Sequence, residues 1–382
     1  MKRIITLLLS LACCVGFLSC QNNTDGTTVT TTASDDYNST TDISTETQEE
    51  PMQILDRNYD LTKQQEFIKV QGRSHIAEDG LVCDATASGI EFCAYIEGTV
   101  TLSVNATAET YFTVTVDGVR MQNRLKANAG KSVLELASFA DGGIHTIGIL
   151  KQTEARLSLC SFSSLHFKGY PQKAPAKKAH YVEFIGDSIT CGYGILCANG
   201  TENGGSALYQ DGTQTFAFLA AQKWNADHSM ISCSGIGITQ GSASVPYVAS
   251  QLFSKQSVYR SQTQDFVPAR VPDLVVINLG TNDSANAAST SQFMKDVSSL
   301  IDLIRTTYGK DVPIVWVYNM MNDSLFGSAR LAIAAKGGEN AGIYTCQLNQ
   351  NRDGGVGHPS LAAHATAAEQ LASFVQEKGL LS

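Results

Sequence analysis

The stretch Glu183-Phe184-Ile185-Gly186-Asp187-Ser188-Ile189-Thr190 decides both the fold and the search for a function. Its apolar, β-prone half predicts a buried strand, and Gly186 allows the backbone to turn sharply after it. The turn places Ser188 at the carboxyl end of a strand, where open α/β sheets bind ligands. Ser188 is therefore the candidate nucleophile. Thr190 occupies the place of the second glycine in Gly-x-Ser-x-Gly, which argues against an ordinary α/β-hydrolase.

Strands and helices are predicted to alternate from this stretch to the C-terminus, over residues 180–382. Further strands are predicted at residues 228–232, 273–279, 313–318 and 341–348, and helices at 215–224, 292–307 and 360–377. Alternation of this kind gives a parallel sheet with helices on both faces. The runs at 274–277 and 314–317 are apolar throughout, as expected of strands buried on both sides.

Residues 54–169 show a different pattern, with many short strands and no convincing helix. Strands are predicted at residues 89–96, 111–116, 132–136, 145–150 and 157–167, and Asp117-Gly118 is a hairpin-turn signal. This pattern predicts an all-β sandwich, plausibly a jelly roll. Residues 170–179, with prolines among lysines and alanines, are the predicted linker between the two domains.

The N-terminus predicts export. Lys2-Arg3 precedes an apolar run that is too short to span a bilayer comfortably, as in a signal peptide over residues 1–20. The run ends in Phe17-Leu18-Ser19-Cys20, which resembles a lipoprotein cleavage box and predicts a lipid anchor on Cys20. We expect an outer-membrane or cell-surface lipoprotein; a periplasmic or secreted protein with an incidental cysteine is the alternative. Residues 21–53 are too polar to bury a core and predict a flexible tether or a processed pro-segment.

Composition narrows the possible partners and cofactors. A chain of 382 residues with 43% hydrophobic content can fill the cores of two domains. The net charge of −9 and the lack of a basic stripe argue against nucleic acid as a partner. Outside the signal peptide, seven cysteines have no metal-site spacing, so no metal and no cofactor is expected. Cys191 with Cys197, or Cys83 with Cys93, could form a disulfide, but buried free thiols are equally compatible with the sequence.

Three further stretches supply the other groups that acyl transfer needs, namely a base and oxyanion donors. They are Ser232-Cys233-Ser234-Gly235, Leu279-Gly280-Thr281-Asn282-Asp283 and Gly357-His358-Pro359-Ser360. His358 is the candidate base, because it precedes the last helix at the carboxyl edge of the sheet. The candidate donors are the backbone N–H groups of Ser188 and Gly235 and the side-chain amide of Asn282. Taken alone, Gly235 and Asn282 could equally be ordinary turn residues.

The remaining histidines are interpreted as structural. For His364, inside the last helix, we consider a role in tying down the loop that carries His358. The others are His75, His145, His166, His180 and His228.

These four stretches, in this order, resemble the four blocks of the SGNH (GDSL) hydrolases. Most members of that superfamily place an aspartate three residues before the histidine, and some place it two before. Here those positions are Gly355 and Val356, and the nearest carboxylate is Asp353. Either Asp353 folds back to the Nδ1 of His358, or a backbone carbonyl holds the imidazole and a Ser-His dyad operates. We favour the dyad slightly.

The β-domain, the linker and Glu183-Phe184-Ile185-Gly186-Asp187-Ser188-Ile189-Thr190-Cys191-Gly192-Tyr193-Gly194 together resemble carbohydrate esterase family two. This resemblance implies a jelly roll packed on a three-layer, flavodoxin-like α/β domain. It also implies removal of acetyl groups from plant polysaccharides such as xylan or glucomannan. Some members carry an aromatic residue just before the catalytic histidine, where this chain has Gly357.

Two other functions are compatible with the same sequence. One is a lysophospholipase or thioesterase on the same scaffold, which would prefer long acyl chains. The other is a polysaccharide-binding lipoprotein whose hydrolase domain is inactive.

Overall fold

The computed structural model describes residues 53–257, 259–260, 263–318 and 320–381 of the chain. The predicted signal peptide, Cys20 and nearly all of the predicted tether lie outside the described residues. Two sheets build the described chain, one antiparallel and one parallel, and the fold is α/β overall.

The first sheet is antiparallel and spans residues 55–171. Its strands are β1 (Leu55–Asp60), β2 (Ile68–Gln71), β3 (His75–Ala77), β4 (Gly80–Val82), β5 (Gly89–Ala106), β6 (Thr110–Val116), β7 (Val119–Arg120), β8 (Leu125–Ala127), β9 (Gly130–Lys151) and β10 (Cys160–Pro171). Alternate residues of β5 are buried, so one face of this long strand packs on the apolar core.

The long strands correct part of the prediction. Residues 132–136 and 145–150 were expected to be separate strands, but both lie in β9, which pairs with β5 along its length. The glycines Gly142 and Gly143 favour a turn in the sequence, whereas register shifts let the ladder continue past them. The hairpin at Asp117-Gly118 is confirmed, because both residues have positive φ, 50° and 79°, between paired β6 and β7.

The second sheet has five parallel strands in the order β12-β11-β13-β14-β15. They are β11 (His180–Gly186), β12 (Ala226–Ser232), β13 (Leu274–Asn278), β14 (Ile314–Tyr318) and β15 (Ile343–Gln347). Every residue of β12, β13 and β14 is buried, which agrees with the unbroken apolar runs in β13 and β14. The strands predicted in this half of the chain are confirmed within a few residues at their ends.

Helices cover both faces of the parallel sheet. They are α1 (Ser188–Cys191), α2 (Phe216–Lys223), α3 (Ala249–Ser254), α4 (Thr281–Ala285), α5 (Thr290–Tyr308), α6 (Phe326–Ala335) and α7 (Leu361–Glu377). Short 3-10 helices occupy Ala207–Tyr209, Gly212–Gln214, Gly338–Ala341 and Gly355–Gly357. One core cluster joins the sheet to α3, α5 and α6, and another joins the opposite face to α2 and α7. The sequence did not indicate α3 or α6, because short segments show little helical periodicity.

Buried polar contacts join the antiparallel sheet to the α/β part. The guanidinium of Arg73 donates from Nη1 to the carbonyls of Phe253 (2.6 Å) and Lys255 (2.8 Å). Its Nη2 lies 3.5 Å from Glu183 Oε1 on β11, inside the core. These contacts link Arg73, which follows β2, to β11 and to the end of α3, so they join the two sheets through buried groups.

The seven cysteines of the described residues are all free thiols, so neither of the two possible disulfides is formed. Among the described residues, no helix is both long enough and apolar enough to cross a bilayer.

Candidate active site

Ser188 begins the short helix α1 at the carboxyl end of β11, which lies between β12 and β13 in the parallel sheet. The turn needs a glycine before it, because a Cβ on Gly186 would lie only 2.0 Å from Thr190 Oγ1. Asp187 caps the turn, and its Oδ1 accepts the backbone N–H of Ile189 at 2.9 Å. Ser188 is only 6% exposed, so its hydroxyl is held in a defined position at the edge of the sheet.

The imidazole of His358 contacts the hydroxyl of Ser188. Nε2 of His358 and Oγ of Ser188 are 2.8 Å apart, a good hydrogen-bond distance. The two loops are also joined directly, because the backbone N–H of Gly355 donates to the carbonyl of Gly194 at 2.8 Å. The structure therefore brings together the two residues that the sequence identified as nucleophile and base.

The other ring nitrogen of His358 faces a backbone carbonyl. Nδ1 lies 3.3 Å from the carbonyl oxygen of Val356, which sits at φ 56° and ψ 30°. This left-handed conformation is rare for a β-branched residue and marks local strain. Asp353 does not reach the ring: its exposed carboxylate accepts from Asn351 Nδ2 at 2.7 Å. Of the two arrangements predicted for His358, the geometry favours the backbone carbonyl.

Burial keeps His358 in the form that a base requires. It lowers the pKa of the imidazole, and hydrogen bonds to Val356 and Gly355 and the charge of Glu154 oppose that fall. A neutral ring with a proton on Nδ1, donated toward Val356, leaves Nε2 free to accept the proton of Ser188. The ring of Tyr193 lies 4.8 Å from that of His358, between centroids, and forms an aromatic wall beside it.

Gly235 lies in a loop that follows β12, and its φ of 87° favours glycine. Among the described residues, neither its backbone N–H nor that of Ser188 donates to a protein acceptor. Asn282, in the first turn of α4, donates from Nδ2 to the carbonyl of Ile236 at 2.9 Å. The same Nδ2 lies 3.5 Å from Asp187 Oδ2, which places the amide beside the serine turn.

Asp283 on α4 also holds the loop after β12 that carries Gly235. This buried carboxylate accepts the backbone N–H groups of Ile238 (2.9 Å), Thr239 (2.7 Å) and Gln240 (2.9 Å). Three bonds to consecutive amides leave the segment little freedom. The loop that carries Gly235 is therefore rigid, as fixed oxyanion donors require.

Asp187 is a buried carboxyl next to the nucleophile. Burial raises its pKa to about 7, and the nearby charge of Asp283 acts in the same direction, although the N–H of Ile189 opposes the rise. Asp187 therefore changes protonation state near neutral pH.

His364, His145 and His228 make structural contacts. His364 is fully buried, and its Nδ1 accepts the backbone N–H of Phe216 at 3.1 Å. It therefore holds the start of α2 rather than the loop of His358, and burial lowers its pKa to about 3. His145 contacts Asp117 at 2.8 Å, and His228 contacts the carbonyl of Ala87 at 2.9 Å.

In the part of the chain that the structure describes, no cluster of three or more His, Cys, Asp or Glu side chains is arranged to hold a metal ion. The groups assembled at the site are a serine hydroxyl, an imidazole and amide donors. That combination is suited to acyl transfer.

Two neighbours of this site were not predicted from the sequence. Tyr193 lies in the stretch already singled out, but nothing in the pattern showed that its ring would contact His358. Glu154 lies in the loop after β9, and its Oε2 accepts the backbone N–H of Ser234 at 2.7 Å. No sequence signal could have identified Glu154, because this contact depends on how the two sheets pack.

Two family models match the chain. The GDSL-like lipase/acylhydrolase model matches residues 184–376, and the carbohydrate esterase 2 N-terminal model matches residues 70–175. The two matches cover the α/β part and most of the antiparallel sheet.

Similar proteins were found among curated sequences and solved structures. The chain is 30% identical over 319 residues to a cellulase/esterase, CelE, from Acetivibrio thermocellus, over 78% of this chain and 38% of that protein. It is 29% identical over 177 residues to an acetylxylan esterase/glucomannan deacetylase from Cellvibrio japonicus, over 45% of this chain and 48% of that protein. The chain thus spans less than half the length of these curated relatives.

A solved family two carbohydrate esterase from Clostridium thermocellum, in complex with cellohexaose, superimposes with a TM-score of 0.76 at 28% identity. The superposition covers 82% of this chain and 100% of that one.

Proposed function

We propose that this chain, which belongs to the GDSL-like lipase/acylhydrolase family, is a serine esterase that removes O-acetyl groups from plant polysaccharides of the xylan or glucomannan type. The observation that carries the proposal is the 2.8 Å contact between Ser188 Oγ and His358 Nε2. Beside it lie the backbone N–H groups of Ser188 and Gly235, which have no protein acceptor among the described residues. The match to a carbohydrate esterase 2 N-terminal model, and relatives named as an acetylxylan esterase and a cellulase/esterase, favour acetylated polysaccharide as the substrate.

The first half of the reaction forms an acetyl-enzyme. His358 Nε2 takes the proton of Ser188 as Oγ attacks the acetyl carbonyl carbon. The carbonyl oxygen becomes an oxyanion, which the N–H groups of Ser188 and Gly235 and the amide of Asn282 stabilise. When the tetrahedral species collapses, the bond to the sugar oxygen breaks and His358 returns its proton to that oxygen.

The second half uses water in place of the serine. His358 removes a proton from water, and the resulting hydroxide attacks the acetyl group on Ser188. The bond between the acetyl carbon and Oγ then breaks as His358 returns the proton to Oγ, and the product leaves as acetic acid, which loses its own proton to solvent and becomes acetate. During both halves the ring is transiently cationic. The carbonyl of Val356, 3.3 Å from Nδ1, orients that cation and partly stabilises it in place of a carboxylate.

The finer features of the fold belong to the same proposal. The strand order β12-β11-β13-β14-β15, with helices on both faces, supports a flavodoxin-like three-layer domain. The antiparallel sheet with its buried core supports a jelly-roll sandwich for the N-terminal domain.

The test measures acetate release from a panel of acetylated xylan, glucomannan and cellulose acetate, together with chromogenic esters of acetate and of a long-chain acid. The wild-type protein is expected to release acetate and to prefer the acetyl ester. Ser188→Ala should abolish release, whereas Ser232→Ala, at the buried β12 position paired with Gly186, should remain active. Preference for the long-chain ester would instead indicate a lysophospholipase or thioesterase, and full activity of Ser188→Ala would refute the proposal.

Export and lipid anchoring through Cys20 complete the proposed function. The motif before Cys20 supports it. Labelling cells with a clickable fatty acid should mark the wild-type protein and leave Cys20→Ser unlabelled. Equal labelling of both proteins would contradict the anchor, and a soluble secreted protein would then be the better description.

A further inference from the structure

Glu154, in the loop after β9, contributes a carboxylate to the loop after β12 that carries Gly235, which we call the oxyanion loop. It follows β9, it is 0% exposed, and its Oε2 accepts the backbone N–H of Ser234 at 2.7 Å. Ser234 directly precedes Gly235, the proposed donor. Oε2 of Glu154 also accepts a hydrogen bond at 3.4 Å from the thiol of Cys191, which lies in the helix that Ser188 begins. One carboxylate oxygen therefore touches both the nucleophile helix and the oxyanion loop.

The second oxygen of Glu154 is engaged by Gln210. Nε2 of Gln210 donates to Glu154 Oε1 at 2.8 Å, and the backbone N–H of Glu154 donates to Gln210 Oε1 at 2.8 Å. Both side chains are fully buried. Since all three side-chain contacts of Glu154 are with donors, the position suits a group that only accepts.

The loop that carries Glu154 is itself held firmly. The ammonium of Lys151, which is also fully buried, donates to the carbonyls of Asp84 (2.8 Å), Thr153 (2.7 Å) and Ser158 (2.6 Å). These bonds close residues 151–158 into a compact turn. The backbone that carries Glu154 therefore has a fixed position.

We propose that Glu154 is a positioning residue supplied by the N-terminal domain, which fixes the Ser234–Gly235 peptide so that the Gly235 N–H faces the oxyanion. The proposal rests on the function proposed above. It gives the N-terminal domain a part in the reaction, because the α/β part alone lacks the acceptor for the Ser234 N–H. Displacing a donor from the oxyanion weakens stabilisation of the transition state more than it weakens substrate binding.

A pair of substitutions tests this hydrogen-bond pattern. In Glu154→Gln, the new NH₂ group faces either the Ser234 N–H or Nε2 of Gln210, and rotating the Gln210 amide only moves the donor–donor clash to the backbone N–H of residue 154. When the clash falls on Gln210, it still pushes the side chain of residue 154 out of place, so the bond to the Ser234 N–H is lost or weakened in both orientations. In Gln210→Glu, two carboxylates face each other. The double variant restores one donor for every acceptor at these contacts and also restores the charge. Glu135→Gln, at an exposed position of β9, is the control for losing one carboxylate.

The kinetic test compares the effect of each substitution on kcat with its effect on KM for an acetate ester. Glu154→Gln should lower kcat about tenfold to a hundredfold, less than the complete loss of a donor, with KM within about threefold of wild type. The double variant should recover kcat to within about threefold, and Glu135→Gln should not change it. An unchanged kcat in Glu154→Gln, or no recovery in the folded double variant, would overturn the proposal.

Hydrogen exchange gives a readout that does not need activity. Mass spectrometry of peptides that contain Ser234 should show faster amide exchange in Glu154→Gln than in wild type and recovery in the double variant. Unchanged exchange would overturn the positioning role even if the protein is an active esterase. If the wild-type protein hydrolyses no ester, the function proposed above fails, and exchange still decides whether Glu154 holds the loop.

Discussion

Replacing Asp353 by asparagine tests whether a carboxylate or a backbone carbonyl holds the imidazole of His358. The Asp353 side chain is exposed and accepts from Asn351 Nδ2 at 2.7 Å, and an asparagine oxygen can accept the same bond. The remaining effect is the loss of one exposed charge, worth about 0.5 kcal/mol or less, which corresponds to about twofold in rate.

A triad acid would behave differently. In serine proteases, replacing that acid costs about ten-thousandfold in kcat, or about 5.5 kcal/mol of transition-state stabilisation. The rates expected for the two arrangements therefore differ by between three and four orders of magnitude.

The assay is kcat/KM for a chromogenic acetate ester, measured at the plateau of the pH profile. Asp353→Asn should stay within about threefold of wild type, as should Asp141→Asn, which removes an exposed charge from β9. Thermal unfolding of each variant confirms that the proteins compared are folded. A fall of a hundredfold or more in folded Asp353→Asn alone would refute the backbone-carbonyl arrangement.

Further predictions concern the residues around the same pair. Val356→Asn should retain kcat, because asparagine tolerates φ 56° and the carbonyl is unchanged. Val356→Pro should lower kcat at least about a hundredfold, because proline cannot adopt that φ. Equal activities of the two variants would contradict the role of the carbonyl. Asn282→Ala should lower kcat about a hundred- to a thousandfold with little change in KM, and a change confined to KM would remove Asn282 from the oxyanion donors. Since burial lowers the pKa of His358 and the base must be neutral, kcat/KM should rise with pH through an apparent pKa below the usual value of about 6.5; an inflection well above that value would contradict the neutral base. Asp187 has a pKa raised from 3.8 to about 7, so it contributes stability that is present below the lower value and lost as pH rises through the higher one. Denaturation from about pH 4 to about pH 7 should therefore show a smaller loss of stability in Asp187→Asn than in wild type, and parallel losses would contradict the raised pKa.

Local sequence patterns predicted the elements that local chemistry determines. The runs of β13 and β14 were readable because strands buried on both faces are apolar throughout. The hairpin at Asp117-Gly118 was readable because its turn needs two positive φ angles. The break expected inside β9 was wrong, because a glycine pair signals a turn in short strands and a tolerated irregularity in long, paired ones.

The candidate site was predictable as far as side-chain chemistry goes. Ser188 and His358 were identified by residue type and by their places at strand and helix ends, and the structure puts them in contact. A backbone carbonyl as the partner of His358 Nδ1 was one of the two predicted arrangements. Which carbonyl it would be was not readable, because Val356 reaches the ring only through an unusual conformation. Glu154 was not readable either, since its contact with Ser234 arises from the packing of the two sheets.

The central claim is that His358 activates Ser188 as a nucleophile, and stoichiometric labelling with a nitrophenyl methylphosphonate tests it most directly. Intact-mass and peptide analysis should find one adduct per chain, on Ser188, absent in Ser188→Ala and formed at least about a hundredfold more slowly in His358→Ala. Labelling at another residue, or equal rates in wild type and His358→Ala, would contradict the account.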